Sequence, residues 1–275
     1  MRLSQEQIDG FHRDGFLFPL RVITTGQAAH YLASLEGHEA RARQPLQGNM
    51  RHKTHLLFTW VDELAHNSNI LDAVADVIGP NILLWNTNFF IKEATNPGFV
   101  SWHQDSTYWG LDPDEVVTAW VALTDATPDN GYMQFLPGSH KSDQLPHLDT
   151  FHRDNLLSRG QEIAVEVDTS KAVGVGLKAG GMSLHHIKLV HGSAPNRSGD
   201  RRVGMALRYI PTHVRQTKLR DSAMLVRGVD EFHHFDDEAR PQADLDDAAV
   251  ASHAEAMARQ VKALYEGTDK QAFRP

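Results

Sequence analysis

The stretch Ile82-Leu-Leu-Trp-Asn-Thr-Asn-Phe-Phe-Ile91 marks the point where the chain changes character. It is short, mostly apolar and rich in β-branched and aromatic residues, which favours a buried strand. A series of short strands predicts a mainly β domain, built as a sandwich or barrel. Similar runs follow at Val116 to Thr124, Tyr132 to Leu136, Ile163 to Val167, Met182 to His191 and Val203 to Ile210.

The sequence before this stretch has the pattern of helices. Capping boxes begin at Ser4 and Thr24, and apolar residues between Ile70 and Ile78 repeat at helical spacing before Gly79-Pro80. Three helices are predicted there. The fold class is therefore α+β and mainly β, with N-terminal helices and a C-terminal helix packed outside. The predicted apolar face of that last helix consists of Val250, Ala254, Met257, Val261 and Leu264.

Turn and loop signals divide the β-rich part. Pro128-Asp-Asn-Gly131 between two strand-like runs predicts a hairpin. Stretches at about 139–161 and 211–240 show little regular pattern, as functional lids and binding loops do. No Pro/Gly/Ser-rich linker interrupts the sequence, so we expect a single domain over residues 1–275.

Composition excludes several kinds of protein. The 275 residues include 17 His and no Cys, so that any metal must be bound by His, Asp or Glu. The net charge of −8 disfavours nucleic acid and anionic membranes as partners. Without a signal-peptide pattern or a run of about 18 apolar residues, the sequence predicts a cytoplasmic protein. Whether the protein forms a homo-oligomer is not decided by the sequence.

The segment Ser101-Trp-His-Gln-Asp105 places an imidazole and a carboxylate two residues apart, on one side of an extended strand. His191 is the best candidate for a third ligand, with His185 and His186 as rivals. Two His and one carboxylate form the facial triad of non-haem Fe(II) oxygenases, which leaves positions open for cosubstrate, oxygen and solvent. An isolated His-x-Asp is more often a loop ion pair, so the metal interpretation depends on the whole set.

The segment from Arg202 to Arg208 alternates, with Arg202, Gly204, Ala206 and Arg208 on one face. The two small side chains leave room for the Arg202 guanidinium to enter a cavity and bind a carboxylate with two hydrogen bonds. Six residues at about 3.3 Å each place Arg208 roughly 20 Å further along the strand. One small molecule is therefore not expected to reach both.

The chain from about Leu3 to Pro211 resembles the phytanoyl-CoA dioxygenase family of Fe(II)- and 2-oxoglutarate-dependent oxygenases. The ordered set is more specific than any one of its motifs. The matching residues are His103-x-Asp105, His191, Ser193, Arg202, Phe11-x-x-Asp-Gly-Phe16 and Pro137-Gly-Ser-His140.

The resemblance implies a double-stranded β-helix (a jelly roll, cupin-like) that uses Fe(II), 2-oxoglutarate and O2. It implies iron binding by His103, Asp105 and His191, and binding of the distal 2-oxoglutarate carboxylate by Arg202 with support from Ser193. Related halogenases replace the carboxylate ligand by a small residue. Because Asp105 is present, hydroxylation is favoured, while desaturation and cyclisation stay open. Further matches to cosubstrate-lining positions are Gln104, Thr118 and Trp120.

The sequence says less about the substrate. We expect a small polar, anionic metabolite that resembles an amino acid or an aminoalkylphosphonate. An acyl-CoA hydroxylase and a non-catalytic cupin-like metal-binding sensor or scaffold are the alternatives. The basic stretch from Arg41 to Lys53 is a candidate docking region, although such stretches are more often solvated, and His233-His234 is assigned to a loop clamp. Candidate substrate-contacting residues, which core packing or an edge cap would equally explain, are Asn86, Asn88, Tyr108 and Trp109.

Overall fold

The computed structural model describes residues 1–268, which form six α-helices and fifteen strands. Residues 269–275 of the predicted domain lie outside this described part. The helices are α1 (Gln5–Asp14), α2 (Thr25–Ala42), α3 (Thr59–Ala65), α4 (Ser68–Ile78), α5 (Ser106–Trp109) and α6 (Asp247–Leu264). The strands are β1 (Phe16–Arg21), β2 (Ile82–Lys92), β3 (Val100–His103), β4 (Leu111–Asp112), β5 (Val117–Ala122), β6 (Met133–Phe135), β7 (His147–Asp149), β8 (Gln161–Ile163), β9 (Val173–Val175), β10 (Gly181–His186), β11 (His191–Ser193), β12 (Arg202–Pro211), β13 (Arg215–Gln216), β14 (Ser222–Arg227) and β15 (Asp236–Asp237).

Two sheets form the centre of the fold. One has seven strands in the order β1-β10-β5-β12-β2-β14-β15, and the other has four in the order β3-β11-β6-β9. Trp120 and Ala206 of the larger sheet share one apolar cluster with Met133 and Phe135 of the smaller sheet. The sheets therefore pack face to face, and the space between them can hold a site.

The helices cover the outer face of the seven-stranded sheet. Val203, Met205 and Leu207 of β12 belong to the same buried cluster as Leu35 of α2 and Val74 of α4. Each such side chain contributes about 1.5–3 kcal/mol when it is fully buried, which holds the helical layer on the sheet. The predicted alternation of β12 is confirmed, since these residues face away from Arg202. None of the helices in residues 1–268 is long and apolar enough to span a membrane.

The N-terminal region contains more elements than predicted. Both capping boxes are present at Ser4 and Thr24, and α4 ends at Gly79. The prediction of three helices missed α3, a helix of only 7 residues that has no side-chain cap. It also missed β1, which pairs with β10 at the edge of the large sheet and buries only Leu20. Both elements form through tertiary contacts rather than through a local pattern.

The turn at Pro128–Gly131 forms, but the predicted hairpin does not. Gly131 has a φ of 73°, as a tight turn requires. The strand before the turn, β5, lies in the seven-stranded sheet, whereas β6 after it lies in the four-stranded sheet. The chain therefore crosses from one sheet to the other at this turn. The hairpin prediction was wrong because the same turn geometry occurs both in hairpins and at such crossings.

Several other strand boundaries differ from the prediction. The run from Met182 to His191 divides into β10 and β11, which lie in different sheets. The predicted strand from Ile163 to Val167 lies earlier in the chain, where β8 covers Gln161–Ile163. The stretch 211–240, predicted to be irregular, contains β14, which pairs with β2 inside the large sheet.

The C-terminal helix forms, but it buries a different face from the one predicted. Val250 is 44% exposed and Ala254 is also exposed, whereas Met257 is buried as expected. The buried side includes Ala249 and His253, whose Nε2 donates to the His52 carbonyl at 2.9 Å. Small and polar residues pack here, so apolar periodicity alone pointed to the wrong face.

The basic stretch that the sequence indicated as a docking region does not form one exposed surface, because its last residue belongs to a buried ion pair. Lys53 is fully buried, and its Nζ donates to a Glu238 carboxylate oxygen and, at 2.8 Å, to the Ser222 carbonyl. Glu238 also contacts His55 Nε2 at 2.9 Å. Arg41 remains exposed at the other end of the stretch. Lys53 is thus a structural cation and does not dock a ligand.

We expect Glu238→Gln to lower the free energy of unfolding by about 3–5 kcal/mol, because it leaves the Lys53 ammonium buried without a counter-ion. Urea unfolding at neutral pH measures this loss. The matched control is Glu255→Gln, which removes an exposed partner of Arg259 and should cost less than about 1 kcal/mol. Equal stability of the two variants would contradict the role of the pair.

The same pair predicts a pH dependence. Burial raises the pKa of Glu238, but Lys53 and His55 outweigh burial and lower the pKa to about 2 from 4.5. A lowered pKa stabilises the fold above about pH 4.5, and this contribution is lost as the pH falls toward 2. The Glu238→Gln variant should lack this part of the acid loss when unfolding is compared between neutral and acidic pH.

Candidate active site

Three side chains converge at the end of the small sheet. His103 and His191 are cross-strand partners on β3 and β11, and their ring centroids lie 4.1 Å apart. Asp105 completes the group: ligand atoms of the three residues lie within 4.8 Å of one another, and all three residues are buried. Residues 1–268 contain no second group of this kind.

The strand that carries His103 ends at that residue, so Asp105 is not on an extended segment as the sequence suggested. Asp105 adopts a right-handed helical conformation before α5, and its backbone N–H donates to the Ile187 carbonyl at 3.1 Å. A turn therefore brings the carboxylate back to His103, whose Nε2 lies 3.4 Å from Oδ1.

Backbone carbonyls orient both imidazoles. His103 Nδ1 donates to the Ser101 carbonyl and His191 Nδ1 donates to the Leu189 carbonyl, each at 2.9 Å. Since a carbonyl only accepts, these bonds place the ring proton on Nδ1 and leave the Nε2 lone pair for a metal.

The charges of the group also suit a metal. Burial and the charge of His103 lower the pKa of His191 to about 4, so the ring is neutral at neutral pH. Burial alone would raise the pKa of Asp105, but the neighbouring His103 ring and the charge of Arg208 hold it well below its usual range. A neutral imidazole and an ionised carboxylate are the metal-binding forms. Nitrogen and oxygen donors in this combination fit Fe(II).

An inner cavity of about 410 Å³, counted with its opening, adjoins the three residues and contains Arg202. Arg202 is 1% exposed, its Nη1 donates to the Gly131 carbonyl, and its Nε has no hydrogen-bond partner among residues 1–268. Burial lowers the pKa of Arg202 to about 10, which leaves it a cation at neutral pH. A buried cation of this kind fits a carboxylate ligand.

Most of the other predicted cosubstrate residues share this cavity. Ser193, Thr118 and Trp120 line it, and the buried Thr118 hydroxyl has no partner among residues 1–268. Ser193 accepts a hydrogen bond from Lys92 Nζ at 2.7 Å. Burial and the charge of Arg202 lower the pKa of the buried Lys92 amine to about 6. The sequence analysis did not single out Lys92, since its role appears only when β2 pairs with β12.

Gln104 lies elsewhere. Its Nε2 donates to the Lys188 carbonyl at 2.9 Å, and its Oε1 accepts from the Leu145 N–H at 2.8 Å. It is fully buried and is absent from the lining of both cavities described here. Gln104 therefore holds two loops beside the triad, and contact with a cosubstrate stays a prediction.

A second, outer cavity of about 710 Å³, counted with its open mouth, meets the inner one at Phe90, Asp105 and Arg208. The asparagines do not cap an edge, because β2 lies inside the sheet between β12 and β14. All four predicted substrate-contacting residues line this cavity: Asn86, Asn88, Tyr108 and Trp109.

Sequence reasoning missed three contributions to the outer cavity. The sequence analysis set Arg208 aside because one small molecule is not expected to reach both Arg202 and Arg208. With two adjoining cavities, the two arginines can contact different molecules. Trp85 enters through an irregularity in the β2–β12 register next to Arg208, which no local pattern shows. Helix α6 contributes Gln260 and Leu264, so it forms part of the wall and is not only an outer covering.

The rival histidines have other surroundings. His185 lines the inner cavity with its ring centroid 4.9 Å from that of His191, but it does not belong to the converging group of three. His186 Nδ1 accepts from the Lys188 N–H at 3.1 Å. The backbone carbonyl of His233 accepts from Arg220 at 3.0 Å, in agreement with a loop clamp.

The stretch 139–161 covers one side of the outer cavity. Tyr108 donates to Asp149 at 2.5 Å, and Arg159 Nε donates to the same carboxylate at 2.9 Å. Arg159 also donates to the Leu264 carbonyl at the end of α6 at 3.0 Å. These bonds join the loop, α5 and α6 into one wall.

A His-Asp-His group beside a buried arginine, held between two sheets, defines the class of Fe(II)- and 2-oxoglutarate-dependent dioxygenases. Residues 11–204 match the family described as phytanoyl-CoA dioxygenase (PhyH). The chain belongs to the phytanoyl-CoA dioxygenase family.

Individual relatives agree with this class. A solved structure described as the non-heme monooxygenase ThoJ in its apo form is 38% identical, covers 94% of this chain and 98% of that one, and has a TM-score of 0.85. The probable alpha-ketoglutarate-dependent hypophosphite dioxygenase of Stutzerimonas stutzeri is 31% identical over 157 residues, 56% of this chain and 54% of that protein. This chain thus spans about half the length of that relative. The ectoine dioxygenase of Nocardia farcinica is 27% identical over 220 residues, 70% of this chain and 73% of that protein.

Gly204 lies two residues after Arg202 and is packed so closely against Trp120 that a side chain would not fit. This position therefore offers a test of the inner cavity. A Cβ at Gly204 would lie 1.8 Å from Cζ2 of Trp120, so we expect Gly204→Ala to displace the indole and weaken 2-oxoglutarate binding by about tenfold or more. Anaerobic titration of the Fe(II) protein, followed by charge-transfer absorption, measures the affinity. Gly199→Ala is the control, since no atom in the described part of the chain lies within 4 Å of its added Cβ. Equal affinities in both variants would show that the indole position does not matter.

Proposed function

We propose that this protein is an Fe(II)- and 2-oxoglutarate-dependent dioxygenase that hydroxylates an unactivated C–H bond of a small polar, anionic metabolite, with release of succinate and CO2. The observation that carries the proposal is the position of the triad. His103, Asp105 and His191 lie where two cavities meet, and each cavity contains a buried arginine. One cavity suits a cosubstrate and the other suits a substrate.

The proposal includes the architecture. The two facing sheets are interpreted as the halves of a double-stranded β-helix, a jelly roll of the cupin type, within a single domain of residues 1–275. Sheet order and the two crossings after β5 and β10 support this interpretation. A cytoplasmic location belongs to the same proposal and is supported by composition.

The triad would hold the metal. Fe(II), when bound, supplies the oxidative chemistry in which O2 and 2-oxoglutarate are consumed and a C–H bond is hydroxylated. His103 and His191 present Nε2 because the Ser101 and Leu189 carbonyls hold the other nitrogen. Asp105 supplies the carboxylate ligand that halogenases lack, which supports hydroxylation.

The inner cavity would bind the cosubstrate. Arg202 would pair with the distal carboxylate of 2-oxoglutarate, and Ser193, held by Lys92, would support it. Thr118 offers a hydroxyl that has no partner among residues 1–268. Trp120 forms the wall beside the guanidinium, whose carbon lies 5.4 Å from the ring centroid.

The outer cavity would bind the substrate. Asn86 and Asn88 offer amides, while Tyr108 and Trp109 form an aromatic wall. The joined loop, α5 and α6 restrict access of water to this space, as the chemistry of reactive oxidants requires.

Two alternatives have less support. The outer cavity leaves only a small free space, which favours a metabolite over a bulky acyl-CoA thioester. Two of the relatives are named for small molecules, hypophosphite and ectoine. A metal-binding sensor or scaffold without turnover would have no need of the buried Arg202, because a metal site does not require a second buried cation.

The reaction class is tested without knowledge of the substrate. Fe(II) and 2-oxoglutarate, added without oxygen, should produce a metal-to-ligand charge-transfer band, and admission of oxygen should release succinate. Asp105→Ala should abolish hydroxylation of any substrate found by a succinate-release screen of small acids. Absence of the band from intact protein would refute the proposal, and product from Asp105→Ala would show that the carboxylate ligand was misassigned.

The cosubstrate anchor has its own test. Arg202→Gln should weaken 2-oxoglutarate binding by about tenfold to a hundredfold, because charge-assisted hydrogen bonds are lost, while iron binding is retained. Titration of the charge-transfer band and metal analysis measure the two effects. Arg13→Gln, at an arginine exposed at the end of α1, should change neither. Unchanged 2-oxoglutarate affinity with full iron occupancy in Arg202→Gln would overturn the assignment.

A further inference from the structure

Arg208 is a buried cation at the junction of the two cavities. It is 6% exposed, it lines both cavities, and its Nε has no hydrogen-bond partner among residues 1–268. Its guanidinium carbon lies 4.7 Å from the ring centroid of Trp109. Stacking on the indole restricts the plane of the guanidinium and leaves its N–H edge available to an acid group.

The carboxylates that line the outer cavity are already in use. Asp221 accepts hydrogen bonds from Trp85 Nε1 and from the Ser222 N–H, each at 2.8 Å. Asp105 belongs to the metal-binding triad. The charge of Asp105 acts on Arg208, but a bound metal would share that carboxylate, so the acid group of a bound molecule would complete the pairing of the buried guanidinium.

Other polar atoms of the cavity also lack partners. Asn88 Oδ1 is buried and has no hydrogen-bond partner among residues 1–268, and the same holds for Gln260 Nε2. Asn88 Oδ1 can only accept and Gln260 Nε2 can only donate. A ligand that satisfies the cavity therefore carries an acid group, a donor for Asn88 and an acceptor for Gln260.

We infer that Arg208 is the residue that selects the substrate, by binding its carboxylate or phosphonate group beside the metal site. The inference rests on the proposed function and adds the residue and the chemical group. Arg202 and Arg208 lie on the same face of β12, six residues apart, or roughly 20 Å along the strand. Each arginine thus binds the acid group of a different molecule, the cosubstrate at one end and the substrate at the other.

The test uses simple probes in place of the unidentified substrate. Acetate, methylphosphonate and neutral acetamide are each titrated into the anaerobic Fe(II)–2-oxoglutarate protein. Tryptophan fluorescence and the charge-transfer band report binding, because Trp85 and Trp109 line the outer cavity. We expect saturable changes with the acids and none with acetamide. The acid that binds more tightly identifies whether a carboxylate or a phosphonate is preferred.

Variants assign the effect to Arg208. Arg208→Gln should weaken acid binding by about tenfold or more, and Arg208→Lys should retain part of it because the charge remains without the planar fork. Arg13→Gln is the matched control. Asn88→Asp keeps Arg208 in place but adds a carboxylate to the cavity, and it should also abolish acid binding. This second variant keeps the test decisive if Arg208→Gln fails to fold.

Three results would overturn the inference: no saturable effect of either acid on the unmodified protein, an equal effect of acetamide, or unchanged acid binding in Arg208→Gln and Asn88→Asp. A failure of the proposed function is distinguishable from these. It would show as a missing charge-transfer band and no succinate, while the fluorescence titration of the metal-free protein would still report acid binding at Arg208.

Discussion

The burial of both faces of β12 is the constraint on which the rest of the structure depends. Val203, Met205 and Leu207 attach one face to the helices, while Arg202 and Arg208 project from the other into the space between the sheets. Two buried guanidinium groups in an apolar sheet are unfavourable unless anions reach them. The cavities at this face therefore lower the cost of burying the two guanidinium groups of β12, because they let anions reach them. The helical layer supplies the apolar burial that holds the strand in place.

The metal-binding group depends on how the chain moves between the sheets. After β10 the chain leaves the large sheet and enters the small one as β11, where His191 meets His103 on β3. Asp105 is brought to them by a turn whose backbone is bonded to Ile187, within the same crossing. The donors thus come from one corner of the fold, and each imidazole is oriented by the carbonyl of the residue two positions earlier in the chain. Such a corner can hold a metal without rearrangement of its ligands.

Local patterns predicted the elements that depend on local interactions. The capping boxes at Ser4 and Thr24 are present because they involve residues three apart, and the alternation of β12 follows from strand geometry. The hairpin at Pro128–Gly131 and the apolar face of α6 were wrong, since partners distant in sequence decide both. The same is true of β1 and β14, which are strands only because β10 and β2 lie beside them.

The sequence by itself determined the donor types and their order: with no Cys, the ordered His103, Asp105, His191 and Arg202 already indicated a facial triad and an acid anchor. Only the tertiary structure decided which space each residue faces. It placed Arg202 in the inner cavity and Arg208 at the junction of the two cavities, and it turned Gln104 toward two loops. The physical reason is that donor chemistry belongs to a residue, whereas a cavity exists only where separate segments pack and leave buried polar groups without partners.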